Sequence, residues 1–162
     1  MTTQAKPIPP GFHTVTPNLI VRDADKAIDF YKRALGAEER NRFLGPDGKS
    51  IMHAEIKIGD SIVMLSEEHP AMGCRGPQTV GSTTVDLYLY LEDVDKTFNR
   101  AVSAGAKVLM PVADMFWGDR AGKVADPFGH EWMLATHKED PSQEEIWKRA
   151  QAFFAQMATQ AS

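Results

Sequence analysis

Apolar positions recur along this chain in two rhythms, one of strands and one of helices, and the two come in the same order twice. From His13 to Val21 the residues suit a strand. Asp23 is then placed as a helix N-cap, with Ala27, Phe30, Tyr31, Ala34 and Leu35 at helical spacing and Gly36 positioned to stop the helix. Three strands are predicted next, over Glu38–Leu44, Ile51–Ile58 and Ser61–Ser66, joined by the turns Gly45-Pro46-Asp47-Gly48 and Gly59-Asp60. After a stretch rich in Gly, Pro, Ser and Thr the pattern restarts. Val85–Leu91 reads as a strand, Asp93 as a cap, Val94, Phe98, Ala101 and Val102 as a helical stripe, and Gly105 as a stop. Strands over Lys107–Val112, Gly118–Ala125 and Glu131–Thr136 complete the second half, with Asp126-Pro127-Phe128-Gly129 as its last turn.

The two halves are related. Setting Asp23 against Asp93 is an offset of 70 residues, which also pairs Leu19 with Leu89, Asp25 with Asp95 and Lys26 with Lys96. Dropping one residue in the second helix then pairs Gly36-Ala37 with Gly105-Ala106. The matches fall on the same strand, cap, helix and stop, so we read an internal repeat. The expected fold is α+β: two βαβββ modules forming a curled mixed sheet around a cleft, plus a C-terminal helix. Its divisions are an extended arm at 1–11, the first module at 12–66, a connector at 67–84, the second module at 85–139 and an amphipathic helix at 140–162. In that helix Ser142 and Glu145 have capping-box spacing, and Ile146, Trp147, Ala150, Phe153, Phe154 and Met157 make one apolar stripe.

Composition narrows the function classes. The chain has 162 residues, 43% apolar and 25% charged, with a net charge of −4. Such a balance gives no electrostatic footprint for nucleic acid or an anionic membrane. Cys74 is the single cysteine, which excludes an internal disulfide and a Cys-rich zinc or iron–sulfur site. No apolar run reaches membrane-spanning length, and the polar, proline-rich start does not read as a signal peptide, so a cytoplasmic location is expected. Phosphate loop, nucleophile elbow and dinucleotide fingerprint are all missing, and no cofactor is expected.

The paired modules, with Asp23…Phe30-Tyr31…Leu35-Gly36 in the first and Asp126-Pro127-Phe128-Gly129 in the second, resemble the vicinal oxygen chelate superfamily of glyoxalases, extradiol dioxygenases and bleomycin-resistance proteins. The segments Met52-His53-Ala54-Glu55, Ile58-Gly59-Asp60-Ser61, Met115-Phe116-Trp117-Gly118-Asp119-Arg120 and Ala135-Thr136-His137-Lys138-Glu139-Asp140 resemble its PhnB-like branch. The resemblance implies one divalent metal held by His, Gln or Glu on the first and last strands of each module. Carried over position by position, those ligands fall on Thr16, Met64, Asp86 and Met133. One carboxylate, one hydroxyl and two thioethers do not make a site for a hard or borderline cation, so no metal is expected there. A displaced site built from His53, Glu55 and Asp86 is the alternative.

Strand alternation assigns the remaining candidates. Met52, Ala54, Ile56 and Ile58 are expected to meet the helices, turning His53, Glu55 and Lys57 the other way; Val85, Leu87, Leu89 and Leu91 likewise turn Asp86, Tyr88 and Tyr90 toward the concavity. In the first strand Val15, Leu19 and Val21 face the helices, leaving Thr14, Thr16 and Asn18 for the pocket. His53 beside Glu55 has the makings of a general base, or of a solvated pair. Phe116 and Trp117 are placed to stack on a planar ligand and Arg120 to hold an anion, or the aromatics close the end of the sheet while Asp119 and Arg120 satisfy backbone groups. His13 is expected to be structural, and His137 to lie in a solvated turn. The leading expectation is a module that binds a small organic molecule without transforming it, using Thr16, Asn18, His53, Glu55, Met64, Asp86, Tyr88, Tyr90, Trp117, Arg120 and Met133. The alternative is a lyase, isomerase or oxygenase with a displaced metal or with His53 as base. A homodimer is expected, with the C-terminal stripe at its contact.

Overall fold

In the computed structural model, which describes residues 5–160, the two aspartates placed as caps act alike. Asp23 accepts a hydrogen bond from the Lys26 amide and Asp93 from the Lys96 amide, and Gly36 and Gly105 end the helices in left-handed conformation. The element order is β1 (Asn18–Val21), α1 (Ala24–Leu35), β2 (Glu38–Leu44), β3 (Ile51–Ile58), β4 (Ser61–Glu67), α2 (Pro77–Val80), β5 (Asp86–Tyr90), α3 (Val94–Ala104), β6 (Lys107–Asp114), β7 (Asp119–Ala125), β8 (Glu131–His137) and α4 (Gln143–Gln160). Helix α1 has 12 residues and α3 has 11, the one-residue difference that the repeat requires. Residues 1–4 of the expected arm and 161–162 of the terminal helix lie outside the described residues.

Each module folds its four strands into a mixed sheet, ordered β1-β4-β3-β2 in the first and β5-β8-β7-β6 in the second. The first strand of each module runs parallel to the last, and the remaining neighbours are antiparallel. The two sheets stay separate, so β1 and β5 are both edge strands. Helices α1 and α3 pack against one another and join the modules into one core that includes Tyr31, Phe30, Phe128 and Trp132. At its centre the buried Asp126 carboxylate accepts from Tyr31 Oη at 2.7 Å and Trp132 Nε1 at 2.9 Å, and from the amides of Phe128 and His130. Arg100 donates to the Ala34 carbonyl at 2.9 Å, and His130 Nε2 lies 3.0 Å from the Ile20 carbonyl oxygen, which ties the modules twice more.

Several expected positions shift, each for a local reason. The first strand begins at Asn18 rather than His13, because Pro17 cannot donate to a ladder and Thr16 Oγ1 turns back onto the His13 carbonyl at 2.9 Å. Val15 is therefore 83% exposed instead of facing the helices, and Val85, just ahead of β5, is exposed too. Met52 is exposed and Ile51 buried, since the register between β2 and β3 shifts at Phe43 and Leu44 and moves the start of β3 by one residue. The connector is pinned rather than loose: Glu68 accepts from Arg22, Thr79 and the Gly76 amide, and Gln78 donates to the Pro127 carbonyl. At α4, Ser142 Oγ accepts from the Glu145 amide, but the Glu145 carboxylate turns forward to Arg149, so only half of the capping box forms.

Candidate functional site

Alternation along β5 sends Leu87, Leu89 and the following Leu91 to the core and turns Tyr88 and Tyr90 to the opposite face of the second sheet. Their rings lie 5.0 Å apart and form part of the wall along the seam between modules. One cavity there, about 270 Å³, is bounded by His13, Pro17, Ile62, Leu87, Tyr88 and Trp132 among others; a neighbouring one of about 490 Å³ reaches Tyr90 and Leu91. Both share Asp60, Ser61, Tyr88 and Leu89. His13, expected to be structural, lines the first of these cavities, because the chain ahead of β1 turns instead of continuing the strand.

Behind the two tyrosines stands Asp119, the first residue of β7 and only 3% exposed. Its Oδ2 accepts from Tyr88 Oη at 2.9 Å, Tyr90 Oη at 3.3 Å and Trp117 Nε1 at 3.0 Å; its Oδ1 meets His137 Nδ1 at 2.8 Å. Burial works to raise this carboxyl, but the hydrogen bonds from His137, Tyr88, Trp117 and Tyr90 outweigh it and hold the pKa below its ordinary value. Burial and the bond to Asp119 push the Tyr88 phenol up to about 12, and burial with the Asp119 charge raises Tyr90. Both tyrosines are therefore neutral hydrogen-bond donors at neutral pH, with fixed rings, and neither is a base.

His137 was expected in a solvated turn. It closes β8 instead, as the register partner of Asp119, and its Nε2 reaches Asp140 Oδ1 at 2.9 Å. A neutral imidazole has one N–H, so donating to two carboxylates calls for the cation, and the bonds to Asp119 and Asp140 raise its pKa. A raised histidine stabilises the fold fully below its unfolded value of about 6.5, and that stabilisation is lost as pH rises through the folded value. The lowered Asp119 adds stability above the ordinary carboxylate range, lost as pH falls through its own folded value. Melting temperatures measured from about pH 6 to pH 8.5 are expected to fall with rising pH in the native chain, with a shallower slope in His137→Gln. Equal slopes would show that the clasp carries no proton-linked stability.

On the first sheet, Asn18, Met64 and Glu55 stand side by side, since Met64 is register partner to both of the others. His53 joins them, with Nε2 3.4 Å from Glu55 Oε1 and its ring 6.2 Å from that of Phe43. In the second sheet Met133 stands opposite Tyr88 and Lys123, and Asp86 opposite Glu131. Lys123 Nζ lies 2.9 Å from Asp86 Oδ1 and 2.5 Å from Glu131 Oε2. Two expected site residues point elsewhere. Thr16 is half-buried and donates to the His13 carbonyl, while Arg120 forks onto Asp95 of α3 at 2.7 and 2.8 Å and reaches Asp114 at 3.1 Å. Arg120 alternates with Asp119 on β7, so it faces the helix side and braces α3 rather than meeting a cleft anion. Trp117 supports the tyrosine wall through Asp119, and its neighbour Phe116 packs on Phe153 and Phe154 of α4.

The four positions that correspond to metal ligands do not fit a divalent ion. Thr16 is turned away, Met64 and Met133 offer thioethers, and Asp86 is neutralised by an ammonium. The displaced set is divided as well, with His53 and Glu55 on one sheet and Asp86 held by Lys123 on the other. Among the described residues no group of three or more His, Cys, Asp or Glu side chains is arranged to hold a metal. Sequence reasoning did not place Asp119, Lys123, Glu131 and His137 in the site. The signal for the first two was alternation on β7, which puts Asp119, Ala121 and Lys123 on one face.

A model of the Glyoxalase/Bleomycin resistance protein/Dioxygenase superfamily matches residues 11–134. The chain is 45% identical over 136 residues to an uncharacterized protein of Mycobacterium bovis, covering 82% of this chain and 88% of that one. TioX from Micromonospora sp. ML1 is 31% identical, with a TM-score of 0.62 over 77% of this chain and 98% of TioX. The PhnB protein of Bacillus cereus shares the fold at 18% identity, with a TM-score of 0.59 over 76% of this chain and 99% of that protein.

Proposed function

We propose that this chain, which belongs to the glyoxalase/bleomycin resistance/dioxygenase superfamily, holds a small, ring-containing organic molecule in the seam between its modules and binds it without a metal. The observation that carries this reading is the wall formed by Tyr88 and Tyr90. Two rings are fixed by one buried carboxylate, with neutral hydroxyls, and they border the cavities along the β5 edge. A rigid aromatic face with a few placed polar groups is how proteins grip a planar ligand at low entropic cost. Within the superfamily we place the chain in the PhnB-like branch, on the segments around Met52–Glu55 and Ala135–Asp140.

A panel of planar aromatic compounds, neutral and cationic, screened by thermal shift tests the reading. A compound present at about a hundred times its Kd adds about 2.7 kcal/mol to stability, so a binder raises the melting temperature by several degrees in a dose-dependent way. A panel that leaves the melting temperature flat up to the solubility limit counts against binding.

The chain is proposed to act as a homodimer through α4. Trp147, Phe153, Phe154 and Met157 on that helix are 44–64% exposed, and the helix meets the body through Phe116 and the Arg149–Glu139 pair. An apolar stripe of this size is rarely left in water, and a second copy supplies an identical stripe to cover it. Light scattering is expected to give a dimer for the native chain and a monomer for Trp147→Glu combined with Phe154→Glu. A native monomer at micromolar concentration contradicts the dimer, and a dimeric double variant removes α4 from its contact.

A further inference from the structure

The ligand positions implied for a metal in the second module fall on Asp86 and Met133, and a cation already lies against the first of them. Lys123 stands opposite Met133 in the β7–β8 ladder, and its side chain crosses the face of β8 to reach Asp86 on β5. Its ammonium is held at 2.9 Å by Asp86 Oδ1 and at 2.5 Å by Glu131 Oε2. Asp86 and Glu131 are register partners on adjacent strands, so without Lys123 two carboxylates would face one another directly. We infer that Lys123 takes the place of the metal ion and serves as the built-in cation of this half of the cleft.

The inference deepens the metal-free binding proposed above and rests on that reading. An ion entering here must displace an ammonium tethered to a neighbouring strand, which competes at a high effective concentration. Met133, the thioether opposite it in the ladder, offers little to a hard cation in return. Lys123 remains 22% exposed at its side chain, and an ammonium carries three N–H donors. Two go to the carboxylates, which leaves one for an oxygen acceptor on a bound molecule. A single tethered donor suits a ligand with one carbonyl, ether or phenol oxygen, whereas a metal favours a pair of chelating oxygens.

Removing the ammonium should therefore create an affinity for metal that the native chain lacks. The experiment is a titration of MnCl₂ into the full-length native protein and into Lys123→Met, Lys123→Gln and Lys123→Arg, read by melting temperature and by bound manganese after gel filtration. Native protein and Lys123→Arg are expected to melt unchanged up to about 1 mM Mn²⁺ and to carry less than about a tenth of an equivalent. Lys123→Met and Lys123→Gln should melt lower without metal and recover several degrees in a saturable way as Mn²⁺ binds the freed carboxylates. Adding Asp86→Asn and Glu131→Gln to either should abolish the recovery. Stoichiometric manganese in the native protein overturns the inference, and so does a folded Lys123→Met or Lys123→Gln that responds to Mn²⁺ no more than native. If one of the two variants fails to fold, the other decides. A blank ligand screen leaves these titrations untouched, so failure of the binding reading and failure of the cation inference are told apart.

Discussion

Asp126→Ala is expected to lower the stability of the whole chain by about 3–5 kcal/mol, because it strands buried donors in both modules at once. Asp126 is buried and takes Tyr31 Oη from α1 and Trp132 Nε1 from β8, with the Phe128 and His130 amides on its other oxygen. Each unsatisfied buried polar group costs about 1–3 kcal/mol, and the losses are not additive where groups share a partner. A fold of ordinary stability, about 5–15 kcal/mol, would keep little reserve after such a loss. Tyr31→Phe removes one donor together with its need for a partner and should cost only about 1 kcal/mol. Urea denaturation of the three proteins measures the difference. An Asp126→Ala variant within 1 kcal/mol of native would mean that the modules are not held through this carboxylate.

The second large effect is on binding. Asp119→Ala should weaken any compound that raises the native melting temperature by tenfold or more, about 1.4 kcal/mol, because the positions of Tyr88, Tyr90, Trp117 and His137 all depend on that carboxylate. Tyr88→Phe and Tyr90→Phe keep the rings and lose only one hydroxyl each, so each should weaken binding by no more than about threefold if stacking dominates. Isothermal titration of the four proteins with one compound separates the positioning carboxylate from the stacking rings. Unchanged affinity in Asp119→Ala would place the ligand elsewhere.

Much of the fold was legible because it rests on local signals that repeat. Asp23 and Asp93 cap, Gly36 and Gly105 stop, and apolar residues alternate along the strands between them, so the element order follows from one chain. Where legibility failed, a local signal was overridden by its neighbours. Pro17 shortened β1 and exposed Val15, and a register shift against β2 exchanged Met52 for Ile51. The candidate site was legible only in part, and not as a constellation. Tyr88, Tyr90 and Trp117 were identified from their chemistry and alternation, yet the group that gathers them, Asp119, lies about thirty residues from the tyrosines in sequence. Nothing in a run such as Asp119-Arg120 says which of the two charges faces the cleft until β7 is paired with β8. Pairing then sends Asp119 inward to His137 and Arg120 outward to Asp95. The Lys123 bridge is hidden for the same reason, since it joins three strands.

A crystal structure of the native protein with the strongest compound from the thermal-shift panel, grown without added metal, tests the central claim most directly. The binding account predicts the compound's ring against Tyr88 and Tyr90, within about 4.5–7 Å between centroids, in the seam bounded by Asp60, Ser61 and Leu89. A compound seated on another surface, or one that reaches the cleft only through a metal ion coordinated by Asp86, would contradict it.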